Sequence, residues 1–458
     1  MPGLQSAGGD TDVDRKRRGA YPTPPWLVRL VVAEAATAAG DREVVVVDPA
    51  CGDGRFLVAA GRRIAARGGR ARLVGCDVDP SAVTAARAAL GDDATVVLAD
   101  ALDHDWGALR GAVDVVVGNP PYLSQLAAAT TRGGSSRHGG GPYADVAVEF
   151  LALAHRLARP DGGRIGLVLP QSILASRDAA PVRAALDGAG RIVWSWWSPT
   201  AVFDAQVLVC ALVVELGSPA PAPSWTAIVT SSLGLPALPD LDVAGTLGDR
   251  CRLSSNFRDQ YYGLVPAVVE DGPGPPLVAS GLIDPATCRW GQRPMTFARR
   301  RFLRPTVELD RLSPSMRRWA DRLLVPKVLV ANQTRVIEAA VDAAGAWLPG
   351  VPAVTARPGP DDDPWLVAAV LTSPIASRWA WQRAAGTGLS SGALRLGPRW
   401  LAELPWPTGP LATAVAALRE GDVHACGRAV TVAYGLDPEA PRPAALTAWW
   451  RAGLPGGR

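Results

Sequence analysis

The chain has 458 residues, of which 48% are hydrophobic and 20% charged, and its formal net charge is +4. That balance excludes wholesale disorder and supplies enough apolar side chains for two or three domains of ordinary size. All but two of the 47 basic residues are arginine, the exceptions being Lys16 and Lys327. This bias points to a GC-rich bacterial genome, and arginine suits bidentate contacts to phosphate and guanine. Six scattered cysteines form no Cys-x-x-Cys pair and the four histidines are dispersed. No metal is expected, and a reduced, cytoplasmic setting is. No run of about 20 uninterrupted apolar residues occurs, so no membrane span is expected. Residues 1–19 read as a flexible polar segment without an apolar signal core.

From residue 43 the sequence alternates strand-like and helix-like segments. "EVVVVDPACGDG" is a β-branched run ending at a glycine-rich turn, and "RFLVAAGRRIAARG" follows at helical spacing. "ARLVGCDVDP" predicts a second strand. "SAVTAARAALG" predicts a short helix with Ser81 as N-cap and Gly91 as C-cap. "ATVVLADAL" and "VDVVVGNPPY" predict the third and fourth strands. Apolar runs without polar alternation suit strands buried on both faces, so the pattern predicts a doubly wound, mainly parallel α/β sheet. Residues 123–142 include the Gly/Ser/Arg-rich "TTRGGSSRHGGG", expected to be an exposed flexible loop. A helix over "YADVAVEFLALAHRLARPDGG", a fifth strand "RIGLVLP", and a closing hairpin-like pair, "RIVWSWW" with "AQVLVCALVVEL", complete the first half.

A Pro/Ala/Ser-rich linker begins near 217, and a second domain of mixed α+β character is expected over 245–458. Its segments "YYGLVPAVVEDG", "RWGQRPMTFARRRF" and "LVPKVLVANQTRV" lean towards strand. "WLVAAVLTSPIASRWAWQRAAG" reads as helix, with Trp379, Trp381 and Trp400 more suited to a core than to base stacking. The arginine-rich stretches 296–305 and 316–322 are candidates for phosphate contact, or equally for a solvated face.

Chemistry concentrates at the C-terminal ends of the strands. Asp48, closing the first strand before Pro49-Ala50-Cys51-Gly52-Asp53-Gly54, offers a carboxylate suited to a cationic amino group. Gly52 and Gly54 let a ligand approach the backbone. The turn lacks the Gly-Lys-Ser/Thr of an ATP phosphate loop. Asp77, ending the second strand, can accept hydrogen bonds from ribose hydroxyls, or can cap the next turn. Asp100, after the third strand, can accept from an adenine amino group. Asn119 offers an amide oxygen, Pro120 a carbonyl without an N–H, Pro121 a fixed backbone and Tyr122 a stacking ring. Two rigid acceptors side by side can grip both hydrogens of an amino group on an aromatic ring, whose lone pair is otherwise delocalised. Read alone, the same tetrapeptide can equally be a Pro-Pro turn that ends a strand.

"DPACGDG", "GCDVDP", "LADAL" and "GNPPY", in this order and spacing, resemble S-adenosylmethionine-dependent DNA adenine-N6 methyltransferases of the gamma arrangement, the TaqI type. The resemblance covers about 20–216. It implies a Rossmann-like methyltransferase domain over 20–244 and a DNA target-recognition domain over 245–458. It further implies S-adenosyl-L-methionine held by Thr23, Asp48, Pro49, Ala50, Gly52, Gly54, Asp77, Asp100 and Asn119. The target adenine would be flipped from duplex DNA onto Asn119 and Pro120, between Tyr122 and Phe203. Double-stranded DNA is the implied partner. A restriction or other defence system, with a separate endonuclease, is the implied context, and a monomer the default state. Two other readings stand beside it: a protein-glutamine or RNA amino-methyltransferase, and a non-catalytic DNA-binding subunit.

Overall fold

The computed structural model describes residues 22–37, 42–92, 94–122, 138–141, 144–203, 207–217, 224–256, 258–359, 362–388, 390 and 392–455. The polar segment 1–19, most of the loop 123–142 and most of the linker lie outside the described residues. The chain forms two compact units, 1–228 and 229–458. The sequence placed the change at 244/245. Residues 243–246 pair in a two-stranded ladder with Pro405–Pro407, so this stretch joins the second unit.

The first unit holds strands β1 (Glu43–Asp48), β2 (Arg70–Asp77), β3 (Ala94–Leu98), β4 (Val115–Gly118), β5 (Arg164–Pro170), β6 (Gly190–Trp197) and β7 (Val209–Leu216). They form one sheet in the order β3-β2-β1-β4-β5-β7-β6. The strands from β3 to β5 run parallel, and β7 is antiparallel to both β5 and β6. The predicted closing pair is therefore β6 and β7. The chain reverses its winding between β1 and β4, the position where open α/β sheets gather ligands beyond the strand ends.

The residue patterns explain these strands. Val46, Val47, Val115, Val116 and Val117 are almost wholly buried, each contributing roughly 1.5–3 kcal/mol of apolar burial. A strand covered on both faces has no exposed side to mark with polar residues, hence the unbroken valine runs. The edge strand β6 alternates burial along Arg191–Ser195 instead.

Among the described residues, five helices flank the sheet: α1 (Pro25–Ala35), α2 (Arg55–Ala65), α3 (Pro80–Leu90), α4 (Val146–Leu157) and α5 (Ala180–Ala189). Gly166 of β5 lets α1 approach closely, since a Cβ there would lie 2.7 Å from the Ala35 side chain. The expected N-cap Ser81 is corrected: Asp79 caps α3, accepting from the Ser81 N–H at 2.8 Å, and Pro80 occupies the first helical turn. Proline tolerates that position because its missing N–H would be unsatisfied anyway, which moves the cap two residues upstream. Gly91 is the C-cap, with φ of 73°.

The second unit is built round a four-stranded antiparallel sheet in the order Ala339–Asp342, Lys327–Ala331, Ala353–Pro358, Cys251–Ser255. Lys327 lies opposite Asp342 in this ladder, and the two form a buried ion pair, 0% and 2% exposed at their side chains. Asp342 also accepts the N–H groups of Ala346 and Trp347, both at 2.9 Å. Two expectations are corrected. Arg258–Leu264 is helical, so "YYGL" is not strand. The Trp-rich helix is two helices, Pro364–Leu371 and Pro374–Ala384, because Pro374 cannot continue the first and Ser373 caps the second. Trp379 and Trp381 are buried, as expected of core residues.

Candidate active site

The strand ends of the first unit bring the β1 turn and the β4 turn together. Asp48 closes β1 and is 1% exposed. Its Oδ1 accepts the Ala50 N–H at 3.0 Å, while Oδ2 is buried with no hydrogen-bond partner among the described residues. Burial pushes the Asp48 pKa up to about 8, assisted by the nearby charges of Asp77 and Asp53 and opposed by the Ala50 N–H. A buried acceptor left unmatched is costly and uncommon. It marks a place where a donor, above all a cationic one, would be stabilised.

Gly118, the last residue of β4, lies flat against this carboxylate. A Cβ on Gly118 would stand 2.5 Å from Asp48 Oδ1. The Asn119-Pro120-Pro121-Tyr122 turn therefore leaves the sheet beside Asp48, as the sequence spacing implied. Asn119 is half-buried, Pro120 buried and Tyr122 8% exposed. The Tyr122 hydroxyl donates to Asn119 Oδ1. Burial holds that hydroxyl well above the usual phenol pKa.

Tyr122 and Phe203 meet, with ring centroids 6.2 Å apart and planes at 55°. A planar ligand stacked on both rings needs them parallel and about 7 Å apart, two contact distances. The pair must open slightly and turn to admit one.

The glycine turn is fixed from behind. Gly52 and Gly54 have φ of 53° and 80°, where side chains are strained. The Gly52 N–H donates to Asp77 Oδ2 at 2.8 Å, and the Asp79 N–H to Asp77 Oδ1 at 2.9 Å. Asp77 thus braces the turn as well as facing the strand ends. The sequence offered the ligand and turn roles as alternatives; the carboxylate makes the turn contacts and retains lone pairs for further donors. Asp100 is exposed, two residues beyond the end of β3, and its Oδ1 accepts the Leu102 N–H at 3.0 Å. Cys51 packs on Gly75, where a Cβ would come within 2.9 Å of its sulfur. Burial raises its thiol pKa far above the usual range, so it is packing and not a nucleophile.

Arg55 is a site residue that the sequence reading missed. Its guanidinium donates to the Thr23 carbonyl and pairs with Asp53 at 2.5 Å and 2.8 Å. It ties the segment before α1, with buried Thr23, to the glycine turn. A signal was available: a cation opening a helix opposes the helix dipole and calls for a reason. Asp53 supplies the compensating charge.

An amino acid with a cationic amino group fits this set, because Asp48 presents an unmatched buried oxygen and the glycines leave the turn free of side chains. Among the described residues, no group of three or more His, Cys, Asp or Glu side chains is placed to hold a metal ion. No described helix is long and apolar enough to cross a membrane.

Comparisons with known proteins give partial matches. The chain is 34% identical over 112 residues to the type II methyltransferase M.XamI of Xanthomonas campestris pv. amaranthicola, covering 23% of this chain and 20% of that protein. It is 38% identical over 91 residues to a 4-amino-L-phenylalanine/4-methylamino-L-phenylalanine methyltransferase of Streptomyces pristinaespiralis, covering 20% of this chain and 30% of that one. These matches span under a third of either relative. Among solved structures, the type IIG restriction endonuclease BpuSI aligns over 97% of this chain and 68% of its own, at 12% identity and a TM-score of 0.40. The segment that holds the glycine turn and the Asn119–Tyr122 turn, residues 10–212, matches the family described as N-6 DNA Methylase.

Proposed function

We propose that this protein is a DNA methyltransferase that transfers a methyl group from S-adenosyl-L-methionine to N6 of an adenine flipped out of duplex DNA. The observation that carries the reading is the adjacency of two features. The Asn119–Tyr122 turn emerges against Gly118, and Gly118 lies on the Asp48 carboxylate with its unmatched oxygen. One feature suits an aromatic amine and the other a cationic amino acid. The family match over 10–212 supports the same pairing.

In this reading Asp48 holds the amino group of the methyl donor, Gly52 and Gly54 give it room, and Asp77 and Asp100 face its nucleoside. Thr23, Pro49 and Ala50 complete its surroundings. The donor would supply a methyl group on positively charged sulfur, departing as a neutral thioether, so the amine needs no strong base to attack it, and the charge gained by nitrogen leaves afterwards as a proton to solvent. Asn119 Oδ1 and the Pro120 carbonyl take the two amine hydrogens and aim the nitrogen lone pair; Pro121 stiffens the turn. Tyr122 and Phe203 stack on the base, offsetting part of the few kcal/mol that flipping costs. Catalysis is then alignment and electrostatics. The second unit, 229–458, reads the flanking DNA, and a separate endonuclease of a restriction or other defence system is the expected associate. A monomer suffices for an asymmetric site.

A second reading follows from the Streptomyces relative, whose name gives an aryl amine as substrate. An amino group on a free aromatic amino acid presents the same chemistry to Asn119 and Pro120. The 230 residues of the second unit favour the larger substrate.

Incubation with labelled S-adenosylmethionine and duplex DNA, followed by nucleoside analysis, should yield N6-methyladenine. Transfer to 4-aminophenylalanine and none to DNA would exchange the two readings. Asn119→Ala should lower transfer at least a hundredfold, about 2.7 kcal/mol of lost transition-state stabilisation, while S-adenosylmethionine still binds. Retained transfer would remove Asn119 from its role.

A further inference from the structure

The second unit carries a short hairpin, Met295–Phe297 with Arg300–Phe302, whose tip is Ala298-Arg299. Both tip residues have positive φ, 48° and 64°. Two-residue turns of that hand normally take Asn-Gly, because only such residues adopt the conformation cheaply. Here the strained second position is an arginine. Strain of this kind persists where the surroundings over-determine it, and it collects at functional sites.

The surroundings do over-determine it. Met295, Phe297 and Phe302 are buried in the core of this unit. The Tyr261 hydroxyl accepts the Ala298 N–H at 3.1 Å, and the Tyr261 ring packs on Phe297 at 4.8 Å. On this anchored base Arg299, Arg300 and Arg301 are all exposed. Arg300 is steadied over the Phe302 ring at 5.0 Å. Arg301 lies opposite exposed Thr296 on the other face of the ribbon. Next to Tyr261 stands Tyr262, 57% exposed, with Arg258 5.4 Å over its ring.

Several nearby arginines have carboxylate partners. Arg289 and Arg293 share Asp284, and Arg304 pairs with Asp271. No carboxylate among the described residues pairs with Arg299, Arg300 or Arg301. Three adjacent uncompensated guanidiniums repel one another, so their rigid display fits an anionic partner.

We propose that this hairpin is a duplex-DNA probe, with Arg299 at its tip entering a groove and Arg300 and Arg301 reaching the flanking phosphates. A two-stranded ribbon fits the major groove, about 12 Å wide, and arginine is the side chain that best reads guanine there. The inference rests on the DNA reading above and names the element that would engage the substrate.

The test uses the full chain and fluorescence-labelled duplex DNA over a range of salt. Removing one arginine from a phosphate lowers the slope of log K against log salt by about 0.9. The R299A/R300A/R301A variant should lose about 2 in slope and tenfold or more in affinity, with S-adenosylmethionine binding unchanged. R299G should relieve the turn: its Tm should rise while duplex binding weakens, opposite movements that a merely structural arginine would not produce. A triple variant that keeps the wild-type slope and affinity would overturn the inference, as would an equal loss on single-stranded DNA of the same length. If wild type neither binds nor methylates duplex DNA, the DNA reading itself fails. If wild type methylates DNA and the variants are unaltered, only the hairpin assignment falls.

Discussion

Replacing Asp48 by Asn tests the cofactor end of the site, and its effect can be worked from burial. In the unfolded chain this carboxyl ionises near 3.8; folded, it holds its proton up to about 8. The raised value means that the native state binds more protons across this window. Its stability contribution is full below about pH 4 and is lost as the pH rises towards 8. Four units at about 1.4 kcal/mol each set a ceiling on the order of 6 kcal/mol. Asn keeps an oxygen for the Ala50 N–H and never ionises. The wild-type and Asp48→Asn stabilities should therefore diverge from about pH 4 to 8, with the variant the more stable at the upper end, and run parallel above. Urea unfolding at stepped pH measures the difference. The same substitution should weaken S-adenosylmethionine at least a hundredfold. Near pH 6.5, wild-type binding should release about one proton, seen by calorimetry in buffers of different ionisation enthalpy, and the variant none. Stability curves that stay parallel throughout, or undiminished cofactor affinity, would refute the assignment of Asp48 as the buried partner of a cation.

Two further outcomes are expected. Tyr122→Phe keeps the ring but frees Asn119 Oδ1 from the hydroxyl that occupies it. A hydrogen bond of about 1 kcal/mol then no longer competes with the substrate amine, and the label signal from single-turnover methyl transfer to duplex DNA at sub-saturating substrate should rise several-fold. An unchanged signal would show that the hydroxyl does not compete. Lys327→Met leaves Asp342 buried without its cation, at a cost of about 3–5 kcal/mol in denaturant unfolding. Wild-type stability would show that the pair is not the desolvated one described.

The first unit was legible because its chemistry sits where its secondary structure changes. Each valine run of β1 and β4 stops at a residue that cannot extend it, Pro49 or Pro120, and the polar side chains cluster at those stops. Burial on both faces removes alternation, which is itself a signal, so the strands and their ends could be anticipated. Local ambiguity defeated the details. Ser81 and Asp79 are both good caps, and only the proline between them decides. Arg55 opens a helix, where a cation calls for a reason, but its partner, the Thr23 carbonyl, lies 32 residues away and leaves no mark in composition.

The second unit was less legible for a different reason. Its strands are mostly two to six residues long and pair across distant segments, as Cys251–Ser255 does with Ala353–Pro358. Short strands carry too few residues to establish a period, and long-range pairing is set by packing. The hairpin at 295–302 shows this most clearly. An Asn-Gly would have announced the turn, whereas Ala298-Arg299 hides it, since the conformation is imposed by Tyr261 and the buried Phe297 and Phe302. The arginines of 299–301 were visible as a basic run, equally suited to a solvated face. What separates the two is the positive φ under Arg299 together with the missing carboxylates. Neither can be read without the fold, and both follow from a ribbon anchored in the core through Met295, Phe297 and Phe302 whose exposed arginines are left for a partner.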